Sequence, residues 1–285
     1  MSDAAFQKMY RQEYIAGFEK RQALSRHTVT TEVDIKGNEA IFLVADSGDA
    51  DAVTRGLNGR IPGRPDNLNQ FTCTLTEWHD KPERTDFNIY ASQGDGRRIM
   101  QEGSQGVMNR KFDKDIHSAL DAATQTKTMT QTNQGTFLAD VLDIVVTLSE
   151  NNANEDFDNI FALITPAFRA NLQTLKQFSS VDWVRTHAAF ENVSKSRAFN
   201  WNGINWIVDS ALTGVGTATS TCYVYNKKAI GHACDMDRIT TRVGYDEEDA
   251  YSWARTSAYL GSKLLQNSGV IKVTHNDTSI INTVG

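Results

Sequence analysis

Between residues 97 and 125 the apolar positions recur at intervals of three, four and seven: Met100, Val107, Met108, Phe112, Ile116, Leu120 and Ala123. That spacing lays one stripe along an amphipathic helix, and Asp95 is a fitting N-cap. At 1.5 Å per residue the helix is on the order of 40 Å long. It has no heptad regularity and no second copy to pair with, so the pattern predicts a long core helix. Such a helix is a spine on which a hairpin, a sheet and a separate compact domain can hang. Arg98 with Glu102, and Lys111 with Asp115, are spaced as i,i+4 ion pairs on its polar face.

Upstream, residues 4–24 read as a charged amphipathic helix whose apolar stripe is Phe6, Met9, Tyr10, Tyr14 and Phe18. A terminal helix so rich in aromatics must dock on its own body or on a neighbour. Residues 28–45 switch to strand chemistry. Val29, Thr31, Val33 and Ile35 alternate with polar residues, Lys36-Gly37-Asn38 is a turn, and 40–45 is a continuous apolar strand. Residues 46–70 lose all periodicity and carry Arg55, Arg60, Arg64, Pro62 and Pro65. Strand alternation resumes at Phe71, Cys73 and Leu75, and again at Phe87, Ile89 and Ala91 after a turn at Asp80-Lys81-Pro82. The pattern is a hairpin with a long polar tip, and a loop of that length inside a compact domain is usually functional or disordered.

Downstream, the Thr/Gln-rich stretch 126–136 reads as a linker, and the pattern beyond it is α/β. Phe137, Leu138, Val141, Leu142, Val145 and Leu148 define a helix, and Asn159–Ile164 a buried strand. Thr165-Pro166 opens another helix, with proline at its first position. Asn202-Gly203 between alternating apolar residues is a strong hairpin signal. Thr221–Tyr225 is a further strand, Asn267-Ser268-Gly269 a turn, and Val270–Thr274 a closing strand.

Composition narrows the function. The chain has 285 residues, 40% of them hydrophobic, and a formal net charge of −6. There is material for one large domain or two modest ones, and no basic stripe of the kind nucleic-acid binders carry. Three scattered cysteines fit a reducing cytoplasm rather than a disulfide framework. No window approaches a membrane span, and the polar N-terminus is no signal peptide. Cys222, His232 and Cys234 match no zinc spacing, so they read as two core cysteines and a surface histidine. Asp46, Asp49 and Asp51 lack the later glutamate of a calcium loop. Gly214-Val215-Gly216 lacks the third glycine of a dinucleotide site. Nothing converges as an active site should, so no catalytic residue, metal or cofactor is expected.

The order of parts is the informative feature. A terminal arm, a long-tipped hairpin, a spine helix, a discrete α/β domain and a return to the first domain resemble the major capsid proteins of tailed bacteriophages, which share the Hong Kong ninety-seven type shell fold. The telling stretches are GNEAIFLVADSGDADAVTRGLNGRIPG (37–63), MNRKFDKDIHSAL (108–120), DNIFALITPAFRANLQTLKQF (158–178) and FNWNGINWIVDSALTG (199–214). The resemblance implies an α+β chain with 1–27 as N-terminal arm, 28–45 as peripheral-domain strands and 46–80 as the extended loop. It places 81–136, spine included, in the peripheral P-domain, 137–240 in the axial A-domain, and 241–285 as a return to the P-domain and the C-terminus.

It further implies a structural, non-enzymatic shell subunit, made in the host cytoplasm, that self-assembles as hexamers and pentamers into an icosahedral virion head around double-stranded DNA. The DNA is enclosed without specific binding, because a net acidic wall does not hold phosphate, and no membrane is involved. Portal, scaffolding and decoration proteins are the implied partners. The arm starts almost at Met1, so the cleaved scaffolding segment of some relatives is not expected here, and the tip 46–70 offers no lysine for their covalent crosslink. The candidate intersubunit contacts are Phe6, Tyr10, Tyr14 and Phe18 on the arm, and Arg55, Arg60 and Arg64 on the tip. Two alternatives stand beside this reading: an encapsulin-type protein compartment, and a soluble α/β enzyme.

Overall fold

The computed structural model describes residues 23–33, 35, 37–47, 50–55, 57, 59, 61, 63, 67–85, 96–155, 159–179, 198–235 and 239–281. The chain enters through a short 3-10 helix, Ser25–Thr28, and strands β1 (Thr30–Glu32), β2 (Glu39–Asp46), β3 (Asn67–Thr74), β4 (Thr76–Asp80) and β5 (Glu83–Thr85). Helix α1 (Gly96–Asp121) and strand β6 (Thr126–Thr128) follow. Then come α2 (Gln134–Glu150), β7 (Ile160–Ile164), α3 (Pro166–Thr174) and the single turn α4 (Lys176–Ser179). The remaining strands are β8 (Ala198–Trp201), β9 (Ile204–Val208), β10 (Ser220–Asn226), β11 (Ile230–Cys234), β12 (Thr240–Asp246), β13 (Tyr251–Leu264) and β14 (Val270–His275), with short 3-10 turns at Lys227–Ala229 and Asn267–Gly269.

These strands make two six-stranded sheets and a two-stranded ribbon. In the first sheet the long β13 is central. β11 and β12 pair along one of its edges and β4 and β5 along the other, while β1 adds to β11 in parallel. The second sheet runs β6-β14-β10-β7-β9-β8. The ribbon is β2 against β3, in register from Glu39↔Thr74 to Asp46↔Asn67.

Helix α1 packs along β13, and its stripe does what the 3.6-residue period predicts. Met100, Met108, Phe112, Ile116 and Leu120 are buried, with Ala123 just past the helix end. Val107 is the exception at 38% exposure, because it falls on the flank of the stripe. Phe112 and Met108 meet Ala258, Leu260 and Cys234 of the first sheet. One to three turns further on, Ile116 and Leu120 meet Tyr223 and Tyr225 of β10 as well as Ile230 and Val270. The opposite face of β10, Cys222 and Val224, joins the largest cluster with Phe137, Phe168 and Trp206. The second sheet is therefore covered on both faces, by α1 on one side and by α2 and α3 on the other. That is why its strands read as near-continuous apolar runs.

Local chemistry sets the element ends. Asn133 and Thr136 form a reciprocal capping box at the start of α2. Thr165 Oγ1 accepts the Phe168 N–H at 3.1 Å, with Pro166 in the first turn of α3. Asn202 and Gly203 both take positive φ, 54° and 74°, as a two-residue turn between β8 and β9 requires.

Several expectations need correction. Asp80-Lys81-Pro82 is not a turn: Asp80 pairs with Thr256 and Glu83 with Trp253, so the chain passes straight along β13. Pro82 is tolerated because this strand pairs only with β13 among the described strands, and its carbonyl accepts the Ala254 N–H at 3.2 Å. The stretch 126–136 is not all linker, since β6 pairs with β14. Strand β14 joins the second sheet through β10 rather than the sheet of β12 and β13. Asp115 does not face water beside Lys111. It accepts the Ser262 hydroxyl at 2.6 Å, while Lys111 lies over the Trp78 ring. In α2, Ile144 is buried and Leu142 is exposed. Val33 of the first predicted strand is exposed, and β1 stops at Glu32. Asp95 and residues 86–91 lie outside the described residues.

Candidate assembly interface

The ribbon leaves the body from a specific seat. Ala40 and Cys73 are buried against Ala233, with Phe42, Ile35 and Leu75 around them. Two glycines of the first sheet make room for it. A Cβ at Gly231 would meet the Phe42 ring at 2.9–3.0 Å, and one at Gly261 would fall under 3.0 Å from the Thr74 carbonyl oxygen. The Leu75 N–H donates to the Asn38 carbonyl at 2.8 Å and closes the base.

Beyond the seat, alternation divides the ribbon into two faces. Phe42, Val44 and Phe71 are half-buried on one, whereas Ile41, Leu43 and Leu68 on the other are 60%, 59% and 50% exposed. Among the described residues, these three large apolar side chains join no hydrophobic core cluster. Burial from full exposure is worth about 1.5–3 kcal/mol for each, and covering the part still exposed about half of that. At the far end Asn67 Nδ2 donates to Asp46 Oδ1 at 2.6 Å. In the tip, Val53, Leu57 and Ile61 are exposed, and Arg55 is exposed as well. Of the other sequence-derived contacts, Phe6, Tyr10, Tyr14, Phe18, Arg60 and Arg64 lie outside the described residues.

Among the described residues Cys222, His232 and Cys234 do not assemble as a metal centre. Among the described residues there is no cluster of three His, Cys, Asp or Glu side chains able to hold a metal. Cys222 belongs to the core of the second sheet and Cys234 to that between α1 and the first sheet. Burial pushes the Cys222 thiol up to about 12 and raises that of Cys234, so neither supplies the thiolate that metals and nucleophilic chemistry need. His232, expected at the surface, is fully buried. Its Nδ1 lies 2.9 Å from Ser262 Oγ and its ring stands edge-on to Phe112. Burial, then the nearby Arg26 cation, lowers its pKa to about 4.

Two buried polar joints escaped the sequence reading. At the first, Asp113 of α1 accepts the backbone N–H groups of Leu24 (3.2 Å) and Ser25 (2.9 Å). His117, one turn on, lies 3.2 Å from Ser25 Oγ and 3.5 Å from Asp209 Oδ2. This joint fastens the first described residues of the chain to the spine. At the second, Asp277 Oδ1 receives Thr165 Oγ1–H at 2.8 Å and His275 Nδ1–H at 2.6 Å, with Ser220 Oγ at 2.7 Å. Burial works to raise the Asp277 pKa. The hydrogen bonds from Ser220, His275, Thr165 and the Gly216 N–H outweigh it and hold the carboxyl below its usual range. Gly214-Val215-Gly216 is thus a loop tied to this joint by Gly216, not a nucleotide cradle. The signal for both joints was only an Asp or His at the edge of an apolar run, which many solvated residues share.

The family model for "Phage capsid protein" matches residues 2–277. No curated protein matches the chain. Among solved structures, the chain is similar to that of Mycobacterium phage Che8, with a TM-score of 0.76 at 13% identity over 98% of this chain and 100% of that one. It is similar to the capsid of Cyanophage P-SCSP1u, with a TM-score of 0.74 at 13% identity over 95% and 93%. It is also similar to the capsid of a native GTA particle, with a TM-score of 0.73 at 10% identity over 96% of each chain. The fold is therefore the Hong Kong ninety-seven type shell fold, held across nearly the whole chain with little sequence in common.

Proposed function

We propose that this chain, which belongs to the phage capsid protein family, joins copies of itself as hexamers and pentamers and encloses double-stranded DNA in a closed head. Membership in the family makes it a structural shell subunit of the virion capsid. The observation that carries the fuller reading is the ribbon. It projects from a glycine-cut seat and shows Ile41, Leu43 and Leu68 to solvent, a face suited to a neighbouring chain.

In this reading residues 1–27 are the arm and the ribbon with its tip is the extended loop, ending at the β3–β4 junction. The first sheet with α1 is the peripheral domain, and the second sheet with α2, α3 and β14 the axial domain. The arm aromatics Phe6, Tyr10, Tyr14 and Phe18, and the tip arginines Arg55, Arg60 and Arg64, contact neighbouring subunits. Portal, scaffolding and decoration proteins act on the same shell, and synthesis is in the host cytoplasm. A net charge of −6 suits a wall that does not grip packaged phosphate. Electron microscopy of the expressed protein should show closed shells, and particles from infected cells should hold nuclease-resistant DNA. A chain that stays at one to a few subunits under all assembly conditions would sink the reading, and protein cargo in place of DNA would move it to a compartment.

A further inference from the structure

The first sheet turns one face to α1 and the other outward. On the outward face the register sets Arg242 of β12 directly opposite Arg255 of β13. The pairings of Asp80 and Glu83 bring Lys81 beside Arg255 on the other edge. Lys81 is accounted for: its Nζ binds Glu83 at 2.7 Å and lies over the rings of Tyr251 and Trp253. The two arginines are not. Among the described residues no carboxylate pairs with either guanidinium, and Arg255 Nε is buried without a hydrogen-bond partner. Like charges directly opposed across two strands destabilise a sheet, and a buried donor without an acceptor adds to the cost. The pair lines a depression of about 330 Å³ with Thr240 and Ser257. Glu77, at its far end, is engaged by His79 Nε2 at 3.0 Å and by the Tyr259 hydroxyl at 3.1 Å.

We infer that the Arg242–Arg255 depression is a carboxylate-binding site, filled by the acidic β12–β13 turn of a second copy of this chain. The inference rests on the shell reading above. The turn is Asp246-Glu247-Glu248-Asp249, and it is preformed: Asp246 Oδ1 accepts the N–H groups of Glu248 (3.1 Å) and Asp249 (3.3 Å). Glu247, Glu248 and Asp249 are exposed. Within one chain this turn cannot reach the pair, because four extended residues, about 13 Å, separate Arg242 from Asp246 along a paired strand. Between copies, the acidic end of one hairpin meets the basic middle of another. That head-to-side contact repeats around an axis and closes a ring. The arginine fork takes both oxygens of a carboxylate. Nucleic-acid phosphate is the poorer occupant, because the same hairpin ends in four consecutive acids that repel it.

The test is a set of variants read by melting temperature and by the yield of closed shells. Arg242→Gln with Arg255→Gln should melt at or above wild type, because the cross-strand repulsion is gone, yet yield roughly tenfold fewer shells or worse. Arg242→Glu with Arg255→Glu should fail to close, and adding Glu247→Lys and Glu248→Lys to the same chain should restore closure by swapping the charges. Wild-type shell yield from either double variant overturns the inference, as does a normally melting quadruple variant that does not close. Gln-variant shells that close normally but lose bound nucleic acid would assign the depression to phosphate and overturn it too. A wild-type chain that forms no shells would instead overturn the shell reading itself.

Discussion

Gly261→Ala tests whether the ribbon's seat sets its direction. Gly261 stands at the crossing of β13 and the ribbon base, where a Cβ would lie under 3.0 Å from the Thr74 carbonyl oxygen and 3.2 Å from Cys73 Sγ. Both neighbours are fixed: the first atom is backbone, and the Cys73 side chain is buried. The strands must part by roughly half an ångström or more, since packed interiors have no slack. Overpacking of this kind costs about 1–3 kcal/mol, which lowers the melting temperature by roughly 2–5 °C in a chain of this size. The consequence for assembly is larger. The ribbon is eight residues long, or about 27 Å. Half an ångström over a seat about 10 Å wide is a tilt of about 3°, which displaces the far end by about 1.5 Å. A side-chain contact at the tip would not survive that displacement intact. Differential scanning calorimetry of the unassembled subunit and particle counts by electron microscopy should therefore both fall, the second more steeply. Melting and closure both at wild-type levels would refute the seat. A full loss of melting stability with closure intact would separate the seat from the aim of the ribbon.

Phe112→Ala or Ile116→Ala should cost about 2–5 kcal/mol, because both side chains are buried between the spine and its sheets; an unchanged chemical-denaturation midpoint would remove α1 from the core. Replacing Ile41 and Leu43 by Lys should leave the subunit's melting within about 1 kcal/mol of wild type, as for exposed sites, while abolishing closed shells on size-exclusion chromatography; normal shells would mean that this ribbon face stays wet. His232, held neutral by burial and Arg26 with a pKa of about 4 against an ordinary 6.5, contributes stability that is complete above about pH 6.5. That stability is lost as pH falls toward 4, by about 3 kcal/mol in all. His232→Gln should flatten the melting profile across that window, and an unchanged slope would assign it to another group.

The fold was legible where one period governs a whole element. The stripe from Met100 to Leu120 needed only the helical repeat, and Asn202-Gly203 and Thr165-Pro166 carry their own backbone requirements. It was not legible where partners are chosen by topology. Nothing in VIKVTH says that β14 will pair with β10 and β6 rather than beside β13. Pro82 announces a turn, but the same residue fits an edge strand whose free side needs no N–H donor. His232 looked exposed because Gly231-His232-Ala233-Cys234 has no alternation, and a strand buried on both faces shows none. The candidate interface was hidden for a related reason. Ile41 and Leu43 belong to a run that reads as core, and a sequence does not distinguish an apolar residue meant for its own core from one meant for a neighbour's surface.

That ambiguity has a physical use. Ile41, Leu43 and Leu68 are already about half covered, so burying what remains offers on the order of 2–5 kcal/mol in all. Bringing two subunits together costs an estimated 4–15 kcal/mol in lost translational and rotational freedom. One ribbon laid on one neighbour therefore does not by itself offset that cost, and an isolated pair of subunits is weakly held. In a ring, the subunit that closes it gains two such contacts for one loss of freedom, so the balance turns favourable only on closure. A stronger ribbon face would trap irregular pairs, and a polar one would never close. In the shell reading, a moderate apolar face left open on the ribbon favours closed assembly over isolated pairs.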